Sequence, residues 1–207
     1  MHISWLGNTA FKFVFNPAEE DVVVVIDPYK PASGAFPRNL SAEIGLYSRG
    51  EENTITLGNP FILSTPGECE VKGVLITAVY GSEPDNLMFR IDSEGLSIGH
   101  LGMAKKPLNE RQTELLNGVD ILFVPVGNDT CYDAEAAAKV ANALEPKIVI
   151  PMAFKSDNDP KAKPVEEFLK EMGAKVQPEK KLIIKKKTLP EEGTQVMVVE
   201  KEWHSGE

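Results

Sequence analysis

Histidine is scarce in this chain, which holds three in 207 residues: His2, His100 and His204. Two of them lie near the ends of the chain, so a zinc centre built from three histidines would have to recruit both termini. The two cysteines, Cys69 and Cys131, form no CxxC pair, and a metal or redox site built on that spacing is therefore absent. These shortages disfavour most hydrolytic zinc chemistry.

Positive charge and long apolar runs are also limited. Lys and Arg number 22 against 31 Asp and Glu, a formal net charge of −9, which disfavours binding to nucleic acid or to anionic membranes. The longest apolar run, Val22–Ile26, is far shorter than the roughly 20 residues of a membrane span. The N-terminus lacks the basic-then-apolar layout of a signal peptide. We expect a soluble, cytoplasmic protein.

Short apolar segments bounded by turn residues predict a β-rich first half. The predicted strands there are residues 2–6, 9–15, 22–26, 43–47, 61–64, 71–79, 87–91 and 96–100. From residue 109 onward, helices alternate with strands. Helices are predicted at residues 109–116, 134–144 and 163–172, and strands at 119–126, 147–151, 176, 182–184 and 195–199. No linker or short repeat divides residues 1–207, so we expect one domain.

Common catalytic motifs are missing: the chain has no GxSxG elbow, no GxxxxGK[ST] phosphate loop and no GxGxxG that opens a helix. What it does have is an ordered series of short segments: residues 4–11 (SWLGNTAF), 26–28 (IDP), 66–74 (PGECEVKGV), 99–102 (GHLG), 119–122 (VDIL), 125–127 (PVG), 133–137 (DAEAA) and 146–152 (PKIVIPM).

In this order the segments resemble the metallo-β-lactamase fold superfamily, in the branch of Zn-dependent hydrolases related to ascorbate-6-phosphate lactonases. The resemblance covers residues 1 to about 155. It implies a fold of the α/β (α+β) class, a metallo-β-lactamase-like four-layer αββα sandwich with the metal site at one edge of the paired sheets. The predicted order, strands first and alternation later, agrees with it.

The resemblance also implies metal ligands, and other residues stand at those positions. In the family a strand that ends in Ser is followed by HxHxDH, whereas Ser48 is followed by Arg49, Gly50, Glu51, Glu52, Asn53 and Thr54. Asn8 replaces the histidine of WLGHS, Met103 the bridging aspartate of HLGD and Ala153 the last histidine of IPMH, and residues 80–83 contain no histidine. Amide, thioether and methyl groups do not hold Zn²⁺ well, and the fixed charge of Arg49 repels it.

A carboxylate metal site and a thiol nucleophile are also conceivable, but each has a simpler interpretation. Glu51 and Glu52 with Asp27 could bind Mg²⁺ or Ca²⁺ through carboxylate oxygens, but a solvated loop with a nearby Arg is the simpler interpretation. Cys131 and His100 could form a nucleophile pair, but a packed, inert thiol and a hydrogen-bonded structural imidazole are favoured.

Two groups of charged residues also have both a functional and a structural explanation. Glu68 and Glu70 share one face of a strand, which suggests paired carboxylates, but we favour solvation at the sheet surface. The lysines at positions 180, 181 and 185–187 could bind phosphate, but we favour protection of an edge strand against aggregation.

The main hypothesis is a metal-free pseudoenzyme that uses the family scaffold, without a cofactor, to bind a small anion or a protein partner; homo-oligomerisation is left open. The alternative is a metal-dependent hydrolase of lactonase-like type, with a zinc, carboxylate or thiol site. Arg49 is expected either to make the floor of the pocket positive or to pair with Glu51 or Glu52, in which case the loop collapses into the void. The pocket residues are predicted to be Asn8, Arg49, Glu51, Glu52, Asn53, Thr54, His100, Met103, Asn128, Cys131 and Ala153.

Overall fold

Two β-sheets face each other in the computed structural model, which describes residues 1–83, 86–127 and 129–202. The described residues form these strands: β1 (His2–Gly7), β2 (Ala10–Phe15), β3 (Val22–Ile26), β4 (Ile44–Leu46), β5 (Phe61–Leu63), β6 (Gly67–Val71), β7 (Val74–Tyr80), β8 (Leu87–Ser93), β9 (Leu96–His100), β10 (Ile121–Pro125), β11 (Ile148–Met152), β12 (Leu182–Ile183) and β13 (Gln195–Val196). The helices are α1 (Glu110–Leu116), α2 (Ala134–Leu144) and α3 (Glu166–Glu171).

The strand order places parallel strands side by side in both sheets. The first sheet runs β12-β1-β2-β3-β4-β5 and the second β13-β11-β10-β9-β8-β7-β6. Strands β3, β4 and β5 are parallel, as are β9, β10 and β11. The carboxyl ends of each parallel set therefore meet at one edge of their sheet, where ligand sites of such sheets usually lie.

Aromatic side chains fill the space between the sheets. Phe11 and Phe13 of β2 meet Phe123 of β10 edge to face, at ring-centroid distances of 4.7 and 5.4 Å, and all three rings are fully buried. Alternation along β2 points these rings inward while Lys12 and Val14 point outward. The metallo-β-lactamase-like sandwich expected from the sequence is confirmed.

The two outer faces of the sandwich are covered differently. Helix α1 packs on β7 and β8, helix α2 packs on β10, and α3 packs on α2, so the described helices lie with the second sheet. The outer face of the first sheet is instead covered by loop residues, with Leu6, Ala10 and Val25 packed against Ala42, Tyr47, Ile55 and Leu57. No helix in the described part of the chain is long and apolar enough to cross a membrane.

Several predicted elements differ from the structure in their bounds. The single strand at 71–79 is two strands, because Lys72 and Gly73 both have positive φ (49° and 77°) and form the tight turn between β6 and β7. The helix at 163–172 begins three residues later, after Pro164, whose ring removes a donor. Val176 lies outside the strands. The lysine-flanked strand β12 does lie at a sheet edge, as predicted.

Gly127 offers a test of how tightly the segment after β10 is packed. A Cβ added there would lie 2.6 Å from Phe154 Cα and 2.7 Å from the Lys163 carbonyl oxygen, both backbone atoms that cannot move independently. We expect Gly127→Ala to lower the free energy of unfolding by about 3 kcal/mol in urea denaturation. The control is Gly99→Ala, whose Cβ would meet a Leu116 methyl at 2.7 Å; because a side chain can yield, its loss should be smaller. Equal losses would contradict this packing.

Candidate functional site

The candidate site lies where the carboxyl ends of the parallel strands converge. Asp27 follows β3 directly, Ser48 lies two residues after β4, and Ser64 follows β5. His100 ends β9 in the facing sheet, and Ala153 follows β11. This is the sheet edge at which the family resemblance places a metal centre.

The carboxylate of Asp27 joins three segments at this edge. Asp27 is buried, and its Oδ2 accepts hydrogen bonds from the hydroxyls of Thr9 and Ser48, each at 2.6 Å. Its Oδ1 accepts the backbone N–H of Ser48, also at 2.6 Å. These charge-assisted hydrogen bonds satisfy a charge that burial would otherwise make costly. They also leave little lone-pair capacity for a metal ion.

His100 is fully buried and its two ring nitrogens are both engaged. Nδ1 accepts the backbone N–H of Gly102 at 3.2 Å, and Nε2 lies 3.1 Å from the carbonyl oxygen of Thr9. Because a carbonyl only accepts, these partners assign the proton of a neutral ring to Nε2. Burial lowers the pKa of His100, and the Asp27 carboxylate and the Thr9 carbonyl offset only part of that effect.

The position of His100 also bears on the proposed pairing with Cys131. With both nitrogens engaged, the imidazole has no free lone pair to accept the thiol proton or to bind a metal. The Cys131 thiol, itself buried, donates to the carbonyl oxygen of Tyr132 at 3.5 Å. The arrangement favours the structural interpretation of both residues.

Three of the predicted pocket residues pack together as a small apolar cluster. Met103, Cys131 and Ala153 are 6%, 3% and 0% exposed and contact one another. Two of them stand where the resemblance implies a bridging aspartate and a histidine. At these two positions the structure has a thioether and a methyl group, packed with the thiol of Cys131.

Asn8 borders this cluster through its backbone. Its carbonyl oxygen accepts the N–H of Ala153 at 3.0 Å and the indole N–H of Trp5 at 2.9 Å. Its side-chain oxygen accepts the N–H of the next residue, Thr9, at 2.9 Å. Asn8 therefore braces the strand ends through its carbonyl and side-chain oxygens.

Two buried oxygens without a hydrogen-bond partner lie beside Gly7. A Cβ added to Gly7 would be 2.8 Å from the Tyr29 hydroxyl and 2.6 Å from Asn158 Oδ1. Burial, together with the charges of Asp157 and Asp159, raises the pKa of the Tyr29 hydroxyl well above its usual value. A phenol held in its neutral form and an amide oxygen make a poor zinc ligand pair.

An open concavity of about 500 Å³ lies at the carboxyl ends of β4 and β5. Its lining residues are Ser48, Arg49, Gly50, Glu51, Glu52, Ser64, Thr65, Pro66, Tyr80 and Leu87. Arg49 is exposed, and none of the ion pairs between described residues involves it. Glu51 Oε1 instead accepts the hydroxyl of Ser64 at 2.8 Å. We call this space the Arg49 concavity.

The predicted pocket residues do not share one cavity. Arg49, Glu51 and Glu52 line the Arg49 concavity, whereas Cys131 lines a separate one of about 260 Å³. Backbone contacts hold Asn53 and Thr54. The carbonyl of Asn53 accepts the N–H of Lys30, and Thr54 forms an isolated antiparallel β-bridge with Tyr29. Asn128 lies outside the described residues. The expected positive floor stays a prediction, since Glu51 and Glu52 line the same space as Arg49.

The residues present do not fit a metal ion. Across residues 1–83, 86–127 and 129–202, no group of three or more His, Cys, Asp or Glu side chains could hold one. The suggested carboxylate set does not assemble, because Asp27 is buried and hydrogen-bonded while Glu51 and Glu52 are exposed. Glu68 likewise accepts the hydroxyl of Thr77 on the neighbouring strand, at 3.3 Å.

Sequence reasoning missed part of the Arg49 concavity. Ser64, Thr65, Tyr80 and Leu87 were not singled out, although they contribute to its lining. Ser64 and Thr65 follow β5, and β5 runs parallel to β4. The rule that parallel strands present ligand sites at their carboxyl ends could have found these two. Tyr80 and Leu87 come from the second sheet, and no local pattern places them here.

The burial of His100 predicts that the free energy of unfolding depends on pH. Because its pKa is lower in the folded state than in the unfolded chain, protons bind the unfolded chain first. Stability from this group is present above about pH 6.5 and falls below it, by up to about 1.4 kcal/mol per pH unit. In urea unfolding between about pH 5 and 7.5, His100→Gln should flatten this slope. The control His2→Gln, at a half-buried residue, should not. Equal slopes in wild type and His100→Gln would contradict the assignment.

Comparison with known proteins places the chain in a family. Residues 2–153 match the family model described as "Beta-lactamase superfamily domain". A metal-dependent hydrolase of Thermococcus onnurineus is 26% identical, over 84% of this chain and 93% of that protein. The crystal structure of a protein from Thermotoga maritima named a Zn-dependent hydrolase of the metallo-beta-lactamase superfamily is 30% identical. It covers 96% of this chain and 100% of its own, with a TM-score of 0.80.

More distant structures share the fold alone. A metallo hydrolase of Ignicoccus hospitalis, 15% identical, superposes with a TM-score of 0.61 over 89% of this chain and 99% of its own. These structures and the family match over most of the chain support the two-sheet sandwich. They also support the resemblance that the eight short sequence segments indicated. The chain therefore belongs to the metallo-β-lactamase superfamily, in the branch whose relatives are named metal-dependent hydrolases.

Proposed function

We propose that this chain is a metal-free member of its family that binds a ligand or partner and does not hydrolyse a substrate. The observation that supports this most is the apolar cluster of Met103, Cys131 and Ala153. A buried cluster without imidazole or carboxylate gives Zn²⁺ no ligand set and gives water no position in which a metal could activate it. The buried Asp27 and His100 at this sheet edge are committed to other hydrogen bonds.

The alternative is a metal-dependent hydrolase, and the names of the relatives favour it more directly than they favour a binding module. Similarity over nearly the whole length of those proteins supports shared descent. A hydrolase would need donor atoms that neither the buried cluster nor the exposed loop at residues 49–54 supplies among the described residues. The two proposals differ in one measurable property, the stoichiometric binding of a metal.

The metal content of the purified protein distinguishes the binding module from the hydrolase. We expect protein purified without chelator to contain far less than one zinc per chain by elemental analysis, and EDTA to leave its thermal midpoint unchanged, since no holo state exists to be lost. The Thermotoga maritima relative, purified and treated in the same way, serves as the comparison. About one zinc per chain, with a lower thermal midpoint after chelation, would favour the hydrolase.

The Arg49 concavity is the proposed binding site. Its lining combines a guanidinium without an ion pair, two carboxylates, the hydroxyls of Ser64 and Thr65, and the ring of Tyr80. A ligand that carries both an anionic and a cationic group suits this lining better than the simple anion expected from Arg49 alone. Partner proteins could present the same pair of charges at a chain terminus or on neighbouring side chains.

A thermal-shift screen with inorganic phosphate and a neutral dipeptide tests this site. At ten times its dissociation constant, the dipeptide should stabilise the wild type by about 1.4 kcal/mol. Phosphate should stabilise the wild type less. Arg49→Ala should abolish the effect. Arg38→Ala, an exposed arginine outside the concavity, should retain it. If neither compound stabilises the wild type, or Arg49→Ala responds equally, the site is elsewhere.

A further inference from the structure

Helix α2 carries two apolar stripes, although packing on a sheet needs one. Ala134, Ala137, Ala138 and Ala141 are buried and form the stripe that packs inward. The second stripe is at i, i+4, i+7 and i+8 and is half-buried or exposed: Ala136, Val140, Ala143 and Leu144. Ala136, Val140 and Leu144 reach the edge of the core, whereas Ala143 is exposed, so part of this stripe remains open.

This second stripe forms one wall of a groove of about 370 Å³. The opposite side is lined by Pro107 and Leu108, just before α1, by Thr113 on α1, and by Tyr132. The volume lies in the range of roughly 300 to 1,000 Å³ that is usual for small-molecule sites, which are also mainly apolar with few polar groups. We call this space the α1–α2 groove. It shares no lining residue with the Arg49 concavity.

The charged residues of the groove are both lysines, in a chain whose net charge is −9. Lys139 is neutralised by Glu135, with 2.6 Å between its ammonium and the carboxylate. The Lys105 ammonium donates to the carbonyl oxygen of Asp129 at 2.7 Å, a neutral partner, and forms none of the ion pairs between described residues. Its charge is thus held in place where the groove adjoins a smaller cavity that Asp129 and Asp133 also line.

The groove has a direction. The N–H of Tyr132 donates to the carbonyl of Ala104 at 2.9 Å, which fixes Lys105 near Tyr132, just before the start of α2. From there the apolar stripe continues along the helix to Leu144. One end of the groove is therefore cationic and the other is apolar.

We propose that the α1–α2 groove binds a monocarboxylate with an unbranched alkyl chain. The carboxylate pairs with Lys105, and the chain lies along the stripe from Ala136 to Leu144. Eight residues at 1.5 Å each give a stripe of about 12 Å, which an alkyl chain of about eight carbons matches. The proposal does not depend on the function proposed above.

Calorimetric titration with ligands below their micelle concentrations tests the proposal. Affinity should rise roughly fourfold per methylene from hexanoate to octanoate, as expected for burial of each CH₂, and should level off at decanoate. Octanoate should bind at least tenfold more tightly than 1-octanol or octylammonium. Lys105→Ala should weaken octanoate binding and leave 1-octanol unchanged, while Lys106→Ala, outside the groove, should change neither.

A substitution that fills the α1–α2 groove tests whether the ligand binds there. Ala143 is exposed, so Ala143→Phe can place a ring in the groove without disturbing the core, and it should abolish octanoate binding. Asn142→Phe, on the exposed neighbour that does not line the groove, is the matched control and should bind normally. Thermal midpoints of both variants establish that they fold.

Three results would overturn the proposal. Equal affinity for octanoate, 1-octanol and octylammonium would indicate a non-specific apolar surface. Unchanged binding in Ala143→Phe would place the ligand elsewhere. Absence of octanoate binding, combined with a dimer in sedimentation that Ala143→Phe dissociates, would identify the occupant as a second copy of this chain.

Discussion

The hydrogen bonds of Asp27 are the interaction on which the rest of the site depends. They join the β1–β2 turn at Thr9, the end of β3 and the segment after β4 at Ser48. Thr9 extends the connection to the second sheet, because its carbonyl lies 3.1 Å from Nε2 of His100. Loss of the carboxylate would orphan buried donors, at about 1 to 3 kcal/mol each. The polar groups at this edge therefore serve to hold the sheets together.

The backbone around this network keeps conformations that are costly for ordinary residues. Asn8, Asp27, Asn53 and Ala153 all have φ between 48° and 57°, and an alanine in the left-handed region costs about 1 to 2 kcal/mol. Strained backbone of this kind is concentrated at functional sites. Positive φ is thus found at the same sheet edge at which Met103, Cys131 and Ala153 pack together. Scaffold and chemistry are separable in this fold, which is why the family assignment alone does not determine activity.

Much of the architecture was predictable from the sequence, because apolar periodicity and turn residues act locally. Strands β3 and β9 and helix α2 were predicted with their observed bounds. The division of residues 71–79 was missed because Lys72, a residue with no preference for positive φ, occupies half of the turn.

The site was less predictable, since it depends on which strand ends meet across two sheets. The sequence placed Arg49 and Cys131 on one rim, whereas the structure separates them into different cavities. The lining of the Arg49 concavity by Tyr80 and Leu87 depends on the second sheet and has no local sequence signal. The pairing of Asp27 with Thr9 and Ser48 is likewise a tertiary contact between residues 18 and 21 positions apart.

The central claim is that side chains of this protein occupy the space where related chains would hold a metal. The most direct measurement is X-ray diffraction at the zinc absorption edge, from crystals grown with zinc chloride. The account predicts an anomalous map without a peak among Asp27, His100 and Ala153, and electron density for the packed side chains of Met103 and Cys131. A fully occupied peak within coordination distance of Asp27 or His100 would contradict it.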